Sequence, residues 1–166
     1  LDIGPGTGYF LDHCNFPNNY PKIDLLDINE APLKISSERI RRYKPGIHVG
    51  DIYTPPSSLK GPFESIGLNY VLHCLPGTLQ EKGEPFFNQW RPLLEPGKGR
   101  IFGSTILGLG VQHNRIEQAL MRIYNQKGIF DNQMDDVRDL EQLLKAQFVR
   151  HTLEVRGCVA IFSGFV

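Results

Sequence analysis

The chain has no surplus of either charge: 18 Lys and Arg balance 18 Asp and Glu. Such a balance argues against a broad electrostatic footprint for DNA, RNA or anionic lipid, so no nucleic-acid partner is expected. Long apolar runs are also missing. None approaches the ~20 residues of a membrane-crossing helix, and no membrane association is expected. Cysteine is scarce. Cys14, Cys74 and Cys158 are odd in number and lack paired spacing. This speaks against a disulfide framework or a Cys-based zinc site and fits a reducing, cytoplasmic compartment. No repeat, charge block or low-complexity tract occurs, and no signal or transit peptide is visible. The first residue is Leu1 rather than Met, and the opening reads as a strand already under way. An upstream segment is therefore expected to lie outside this sequence.

What is present is globular. With 166 residues, 40% hydrophobic and 22% charged, the chain suits one domain spanning 1–166. Its elements alternate. Leu1-Asp2-Ile3 is strand-like and runs into the glycine loop Gly4-Pro5-Gly6-Thr7-Gly8. Tyr9 to Asn15 is a short helix, and Phe16 to Pro21 a loop. Ile23 to Leu26 is a strand ending at Asp27. Asn29-Glu30-Ala31-Pro32 reads as a capped helix start, with Leu33, Ser37 and Ile40 on one face and Pro45-Gly46 as the stop. Strands follow at Ile47-His48-Val49 and Ser65 to Asn69. From Glu84, the residues Phe86, Phe87, Trp90, Leu93 and Leu94 mark a helix with one buried face. Arg100 to Ile106 is a fifth strand. Ile116, Ala119, Leu120, Ile123 and Tyr124 form another helical stripe, and Val137, Leu140 and Leu144 a further one. Finally, Phe148 to Val155 and Cys158 to Phe165 flank Arg156-Gly157, a hairpin signal. Alternating strands and helices imply a three-layer α/β/α fold around a mostly parallel sheet, with the ligand site at the carboxyl ends of the strands.

Three features at those strand ends carry chemistry. The glycine loop spaces its glycines as G-x-G-x-G, not as the G-x-G-x-x-G of dinucleotide binding. A loop holding an uncharged linker or an amino-acid moiety fits that spacing better than a pyrophosphate cradle; an ordinary strand-to-helix turn is the alternative. Asp27 ends the second strand, where a carboxylate can accept both hydroxyls of a ribose. A solvated strand-end acid has the same appearance. Asp51 ends the third strand within Gly50-Asp51-Ile52 and can accept from the exocyclic amine of adenine, or simply cap a turn.

Taken together, these residues resemble the class I S-adenosylmethionine-dependent methyltransferases over nearly the whole chain. Leu1-Asp2-Ile3-Gly4-Pro5-Gly6-Thr7-Gly8 is similar to the family's first motif. Leu26-Asp27-Ile28-Asn29 resembles its ribose-binding strand end, and Gly50-Asp51-Ile52 its adenine motif. Asn69-Tyr70-Val71-Leu72-His73-Cys74-Leu75-Pro76 resembles the stretch after its fourth strand. Leu93-Leu94-Glu95-Pro96-Gly97 resembles the turn before its fifth. The resemblance implies a Rossmann-like seven-stranded sheet, with the C-terminal hairpin as its sixth and seventh strands and one strand antiparallel. It implies S-adenosylmethionine as cofactor, with no metal, held by Asp2, Gly4, Pro5, Gly6, Thr7, Gly8, Asp27, Ile28, Asp51, Ile52, Asn69 and Tyr70. Two departures from the family are expected: no N-terminal helical segment covering the substrate within this sequence, and a short first helix.

Methyl transfer from a sulfonium needs a general base only where the acceptor must lose a proton. His73, after the fourth strand, is the candidate for that role. His113, before the helix that follows the fifth strand, is a candidate for substrate contact. Cys74 and Cys158 are expected to be buried small hydrophobes, and Phe86, Phe87 and Trp90 a core stripe. No N-P-P-Y-type motif follows the fourth strand. The expected function is methyl transfer to oxygen, nitrogen or carbon of a small molecule, in a chain compatible with a homodimer. A truncated or non-catalytic cofactor-binding domain is the first alternative. An NAD-dependent oxidoreductase is the second, and the glycine spacing and hairpin count against it.

Overall fold

The computed structural model describes residues 1–166. Seven strands are formed: β1 (Asp2–Ile3), β2 (Asp24–Asp27), β3 (Gly46–Val49), β4 (Ser65–Asn69), β5 (Arg100–Ile106), β6 (Arg150–Arg156) and β7 (Val159–Phe165). They make one sheet of order β3-β2-β1-β4-β5-β7-β6. The pairs β1–β2, β2–β3, β1–β4 and β4–β5 are parallel, whereas β7 runs antiparallel to both β5 and β6. The five α-helices are α1 (Tyr9–His13), α2 (Glu30–Arg39), α3 (Leu79–Trp90), α4 (Arg115–Gln126) and α5 (Val137–Gln147).

Adjacent residues of a strand face opposite sides of a sheet, and β2 shows the consequence. Leu25 joins a small core with Ile23, Leu33 and Ile40 against α2. Leu26 joins the large core, where Ile66, Leu68 and Ile101 meet Phe86, Phe87 and Trp90 of α3 and Leu140 and Leu144 of α5. Two cores on opposite faces make the molecule three-layered. Phe86, Phe87 and Trp90 are fully buried, as their spacing predicts.

Four local expectations are corrected. Helix α3 begins at Leu79 rather than near Glu84, because Thr78 and Glu81 form a reciprocal capping box five residues upstream of the aromatic stripe. Pro85 is accommodated inside it. Asn29 occupies the position before α2, but its side chain makes no capping hydrogen bond. The hairpin turn is Gly157-Cys158, since Arg156 still pairs with Val159 and Gly157 takes a φ of +59°. Cys74 is exposed at the end of a single 3-10 turn (Leu72–Cys74), and Cys158 is half-buried in the β6–β7 turn.

Helix α4 stands apart. Asn114 and Glu117 cap it reciprocally, yet none of its side chains is buried. Its apolar stripe faces outward, with Ile116 73%, Leu120 46% and Ile123 44% exposed. No helix is long and apolar enough to cross a membrane.

Candidate functional site

Strand order decides the site. Chain connections leave β1 toward β2 and β3 on one side, and β4 leads to β5 on the other. A crevice opens at such a switch point, beyond the carboxyl ends of the strands. Four segments are aligned along that edge: Asp51 beyond β3, Asp27 at the end of β2, the glycine loop beyond β1, and Asn69-Tyr70 at the end of β4.

The loop is tied down at both ends. The Gly4 N–H donates to the Leu26 carbonyl at 2.8 Å, extending the β1–β2 ladder, and the Gly8 N–H donates to the Pro5 carbonyl at 2.8 Å. Pro5 is buried and Thr7 exposed. Gly8, with a φ of +72°, lies so close to α2 that a Cβ would sit 2.9 Å from the Ser36 Cα. Gly6 differs. Its φ is +54°, and a Cβ there would meet nothing within 4 Å. The middle of the loop therefore faces open space, while its end is pressed onto a helix. Below the loop, desolvation pushes the half-buried Asp2 carboxyl up to about 7.

Each flanking acid keeps acceptor capacity. One oxygen of Asp27 accepts the Asn29 N–H at 2.9 Å, and the other accepts from no protein group. Asp51 likewise accepts the Tyr53 N–H at 2.7 Å and is exposed. Ile28 is 64% exposed beside Asp27. Ile52 is half-buried, and its carbonyl is held by the Trp90 indole N–H at 2.8 Å. On the β4 side, Asn69 Oδ1 accepts from the Ser104 hydroxyl at 3.2 Å. Tyr70 adopts a φ of +59°, an outlier for a bulky residue of the kind that clusters at ligand sites. Its ring lies nearly parallel to that of Phe10, 17° apart in plane with centroids 6.2 Å apart. Phe10 thus joins the site although the sequence showed it only as part of a short helix. Open glycine backbone, a free carboxylate oxygen and exposed apolar flanks fit an adenosyl ligand with an amino-acid tail.

His73 is only 3% exposed. The Ile106 N–H donates to its Nδ1 at 3.5 Å, and the Phe130 ring meets it edge-on at 4.5 Å. Burial, helped by the Lys82 charge, depresses its pKa to about 4, so the imidazole is neutral at pH 7. The nitrogen with a free lone pair is the one already facing a backbone donor. Beside this turn opens a hollow of about 560 Å³, lined in part by Cys74, Pro76, Phe130, Asp131 and Met134. It is separate from the glycine loop.

One buried ion pair escaped the sequence reading. Lys82 Nζ lies 2.9 Å from Asp135 Oδ1, with both side chains fully buried. It also donates to the carbonyls of Asp131 at 2.6 Å and Leu75 at 3.2 Å. Burial pushes the Asp135 carboxyl up to about 6 against the pull of Lys82. The pair fixes the segment leading to α5 against the turn that carries His73, whose carbonyl accepts the Asp131 N–H at 2.8 Å. Lys82 sits three residues after Leu79 and four before Phe86, so its place on the apolar face was legible once α3 is started at Leu79. Asp135 carries no such signal.

No protein-family model matches the chain. It is 42% identical over 165 residues to YbcY of Escherichia coli (strain K12), a protein described as uncharacterized, covering 98% of this chain and 82% of that one. It is 36% identical over 165 residues to demethylluteothin O-methyltransferase of Streptomyces thioluteus, covering 99% of this chain and 71% of that enzyme. Among solved structures, the S-adenosylmethionine-dependent methyltransferase SibL in its apo form matches with a TM-score of 0.72 at 16% identity. That match covers 99% of this chain and 49% of SibL, so the chain spans about half the length of the structure whose fold it shares.

Proposed function

Because this chain belongs to the class I S-adenosylmethionine-dependent methyltransferase family, we propose that it holds S-adenosylmethionine along the carboxyl ends of β1 to β4 and delivers the methyl group to oxygen, nitrogen or carbon of a small molecule. The observation that carries this reading is Gly6, where a Cβ would meet nothing within 4 Å, in the loop beyond β1 whose neighbouring strands end at Asp27 and Asn69. When bound, the cofactor supplies an electrophilic methyl group on sulfur, which leaves orientation and desolvation to the protein.

Each residue then has a role in this reading. Gly4, Pro5, Gly6, Thr7 and Gly8 bring backbone to the cofactor's amino-acid tail, with Asp2 beneath them. Asp27 accepts from the ribose with its free oxygen, and Ile28 covers one side of the sugar. Asp51 and Ile52 receive the adenine. Asn69 and Tyr70 line the methionine side, with Phe10 beside Tyr70. We assign His73 a positioning role: its neutral, buried ring orders the turn between the cofactor and the adjoining hollow, on which the acceptor would approach. Three free cysteines accord with a reducing, cytoplasmic setting. The formal net charge of zero favours a small acceptor over nucleic acid.

The test is calorimetry with S-adenosylhomocysteine. Asp27→Ala removes charge-assisted hydrogen bonds worth about 1.5–3 kcal/mol each, so affinity should fall roughly tenfold or more. NAD should give no heat. Unchanged affinity in Asp27→Ala removes that residue from the site, and no binding by the unaltered protein removes the reading itself.

A further inference from the structure

The region beyond β5 holds a second cluster that the methyltransferase reading does not use. His113, Glu117 and Cys158 each offer a ligand atom, and the three atoms lie within 4.8 Å of one another. They come from separate places: the loop after β5, the first turn of α4, and the β6–β7 turn. The histidine is set up in a particular way. Its Nε2 faces the Gly108 carbonyl at 3.3 Å. An N–H must donate there, so the neutral ring keeps its lone pair on Nδ1. That atom is buried and has no hydrogen-bond partner. An imidazole anchored through one nitrogen by a backbone carbonyl, with the other nitrogen left bare, is the arrangement of a metal-ligating histidine. A buried acceptor without a partner is otherwise an unexplained cost.

The other two groups complete a donor set. One oxygen of Glu117 accepts the Asn114 N–H at 2.8 Å in the helix cap. The other points toward the hairpin turn, 3.9 Å from where a Cβ on Gly157 would lie. Cys158 is half-buried, free, and bonded to no other cysteine. Imidazole nitrogen, thiolate sulfur and carboxylate oxygen together suit a borderline divalent ion, zinc above all. Tetrahedral coordination at about 2.0–2.3 Å sets donors roughly 3.5 Å apart. The present spacing of up to 4.8 Å has to close by about 1 Å on binding.

We propose that His113, Glu117 and Cys158 form a divalent-metal site for zinc that clips the start of α4 to the β6–β7 hairpin, with a fourth position open to water. Zinc displaces the thiol proton to solvent and bonds the sulfur as thiolate. The clip answers a structural need. No side chain of α4 is fully buried; Met121 and Asn125 tie its second half to the buried Asn132 and Tyr124 packs on Phe130, while the clip would hold its first turn.

Cobalt(II) is the probe, because a thiolate bound to it gives a sulfur-to-metal charge-transfer band. Titration of the full chain should give that band at one cobalt per chain, and zinc should abolish it by displacement. Cys158→Ser, a near-isosteric change in the half-buried turn, should lose the band while far-ultraviolet dichroism stays unchanged. His113→Gln should weaken cobalt affinity by at least about tenfold. Cys14→Ser and Cys74→Ser should keep both band and affinity. Hydrogen exchange across 115–126 should slow when zinc is added. No band at saturating cobalt overturns the proposal. So does a band that survives Cys158→Ser or vanishes with Cys14→Ser or Cys74→Ser.

Discussion

Gly6 and Gly8 sit two residues apart in one loop, yet substitutions at the two should fail in different ways. At Gly6 the φ of +54° penalises any residue with a Cβ, while nothing lies within 4 Å to collide with it. The cost of Gly6→Ala is then conformational alone, about 1–2 kcal/mol for a left-handed residue. For a chain of this size that lowers Tm by roughly 2–4 °C per kcal/mol. Gly6→Val adds the branched side chain's own restriction and fills the space in front of the loop. At Gly8 the φ of +72° carries the same penalty, and the new Cβ also meets the Ser36 Cα at 2.9 Å. That neighbour is helix backbone and cannot swing away, so Gly8→Ala must move α2 or the loop. Overpacking of this kind costs typically 1–3 kcal/mol more. Thermal melts of the three variants, each followed by calorimetry with S-adenosylhomocysteine, separate the effects. Gly6→Val should melt cooperatively within several degrees of the parent protein and bind no detectable ligand, whereas Gly8→Ala should show the larger Tm loss. Full affinity in a folded Gly6→Val protein would refute the idea that this loop cradles a ligand. A Gly8→Ala melt no lower than that of Gly6→Ala would refute the packing argument.

Three further perturbations test the surroundings. His73 is depressed from an ordinary 6.5 to about 4, so the unfolded chain binds a proton over that range that the native state refuses. Its contribution to stability is present above pH 6.5 and is lost progressively toward pH 4, by about 3 kcal/mol in all. His73→Gln should flatten the change in Tm between pH 4 and 6.5 relative to the parent; an unchanged pH profile sinks the assignment of a buried neutral ring. Lys82→Ala leaves Asp135 buried without its partner, forcing it to take up a proton or stay as an unpaired charge, which should cost up to about 3–5 kcal/mol in chemical denaturation. The double variant Lys82→Met with Asp135→Leu should recover most of that loss. Thr78→Ala removes the N-cap side chain of α3 and should cost about 1 kcal/mol in chemical denaturation; an unchanged midpoint would rule out the cap.

Much of this fold was legible in sequence because the relevant signals are local. The period-two and unbroken apolar runs of β2, β4 and β5, and the glycine at the hairpin, act over a few residues. Asp27 and Asp51 could be found because a strand end in a parallel sheet has a known position relative to the ligand crevice. The start of α3 was missed because the aromatic stripe outweighed a polar capping box that precedes it. Helix α4 shows a different limit. Its apolar spacing specifies an amphipathic helix, but periodicity cannot say whether a partner surface exists, and Ile116 faces solvent.

By itself, then, the sequence determined the order and type of the elements, the glycine loop and the acids that flank it. Each depends on backbone geometry that neighbouring residues dictate. Tertiary structure alone decided what meets across long separations. Lys82 found Asp135, Phe10 came to lie beside Tyr70, and His113 was brought together with Glu117 and Cys158. No spacing rule encodes those encounters. They follow from the crossing of β4 and β5 past β1 and from the return of β7 between β5 and β6, which carries the Gly157-Cys158 turn to the carboxyl end of β5.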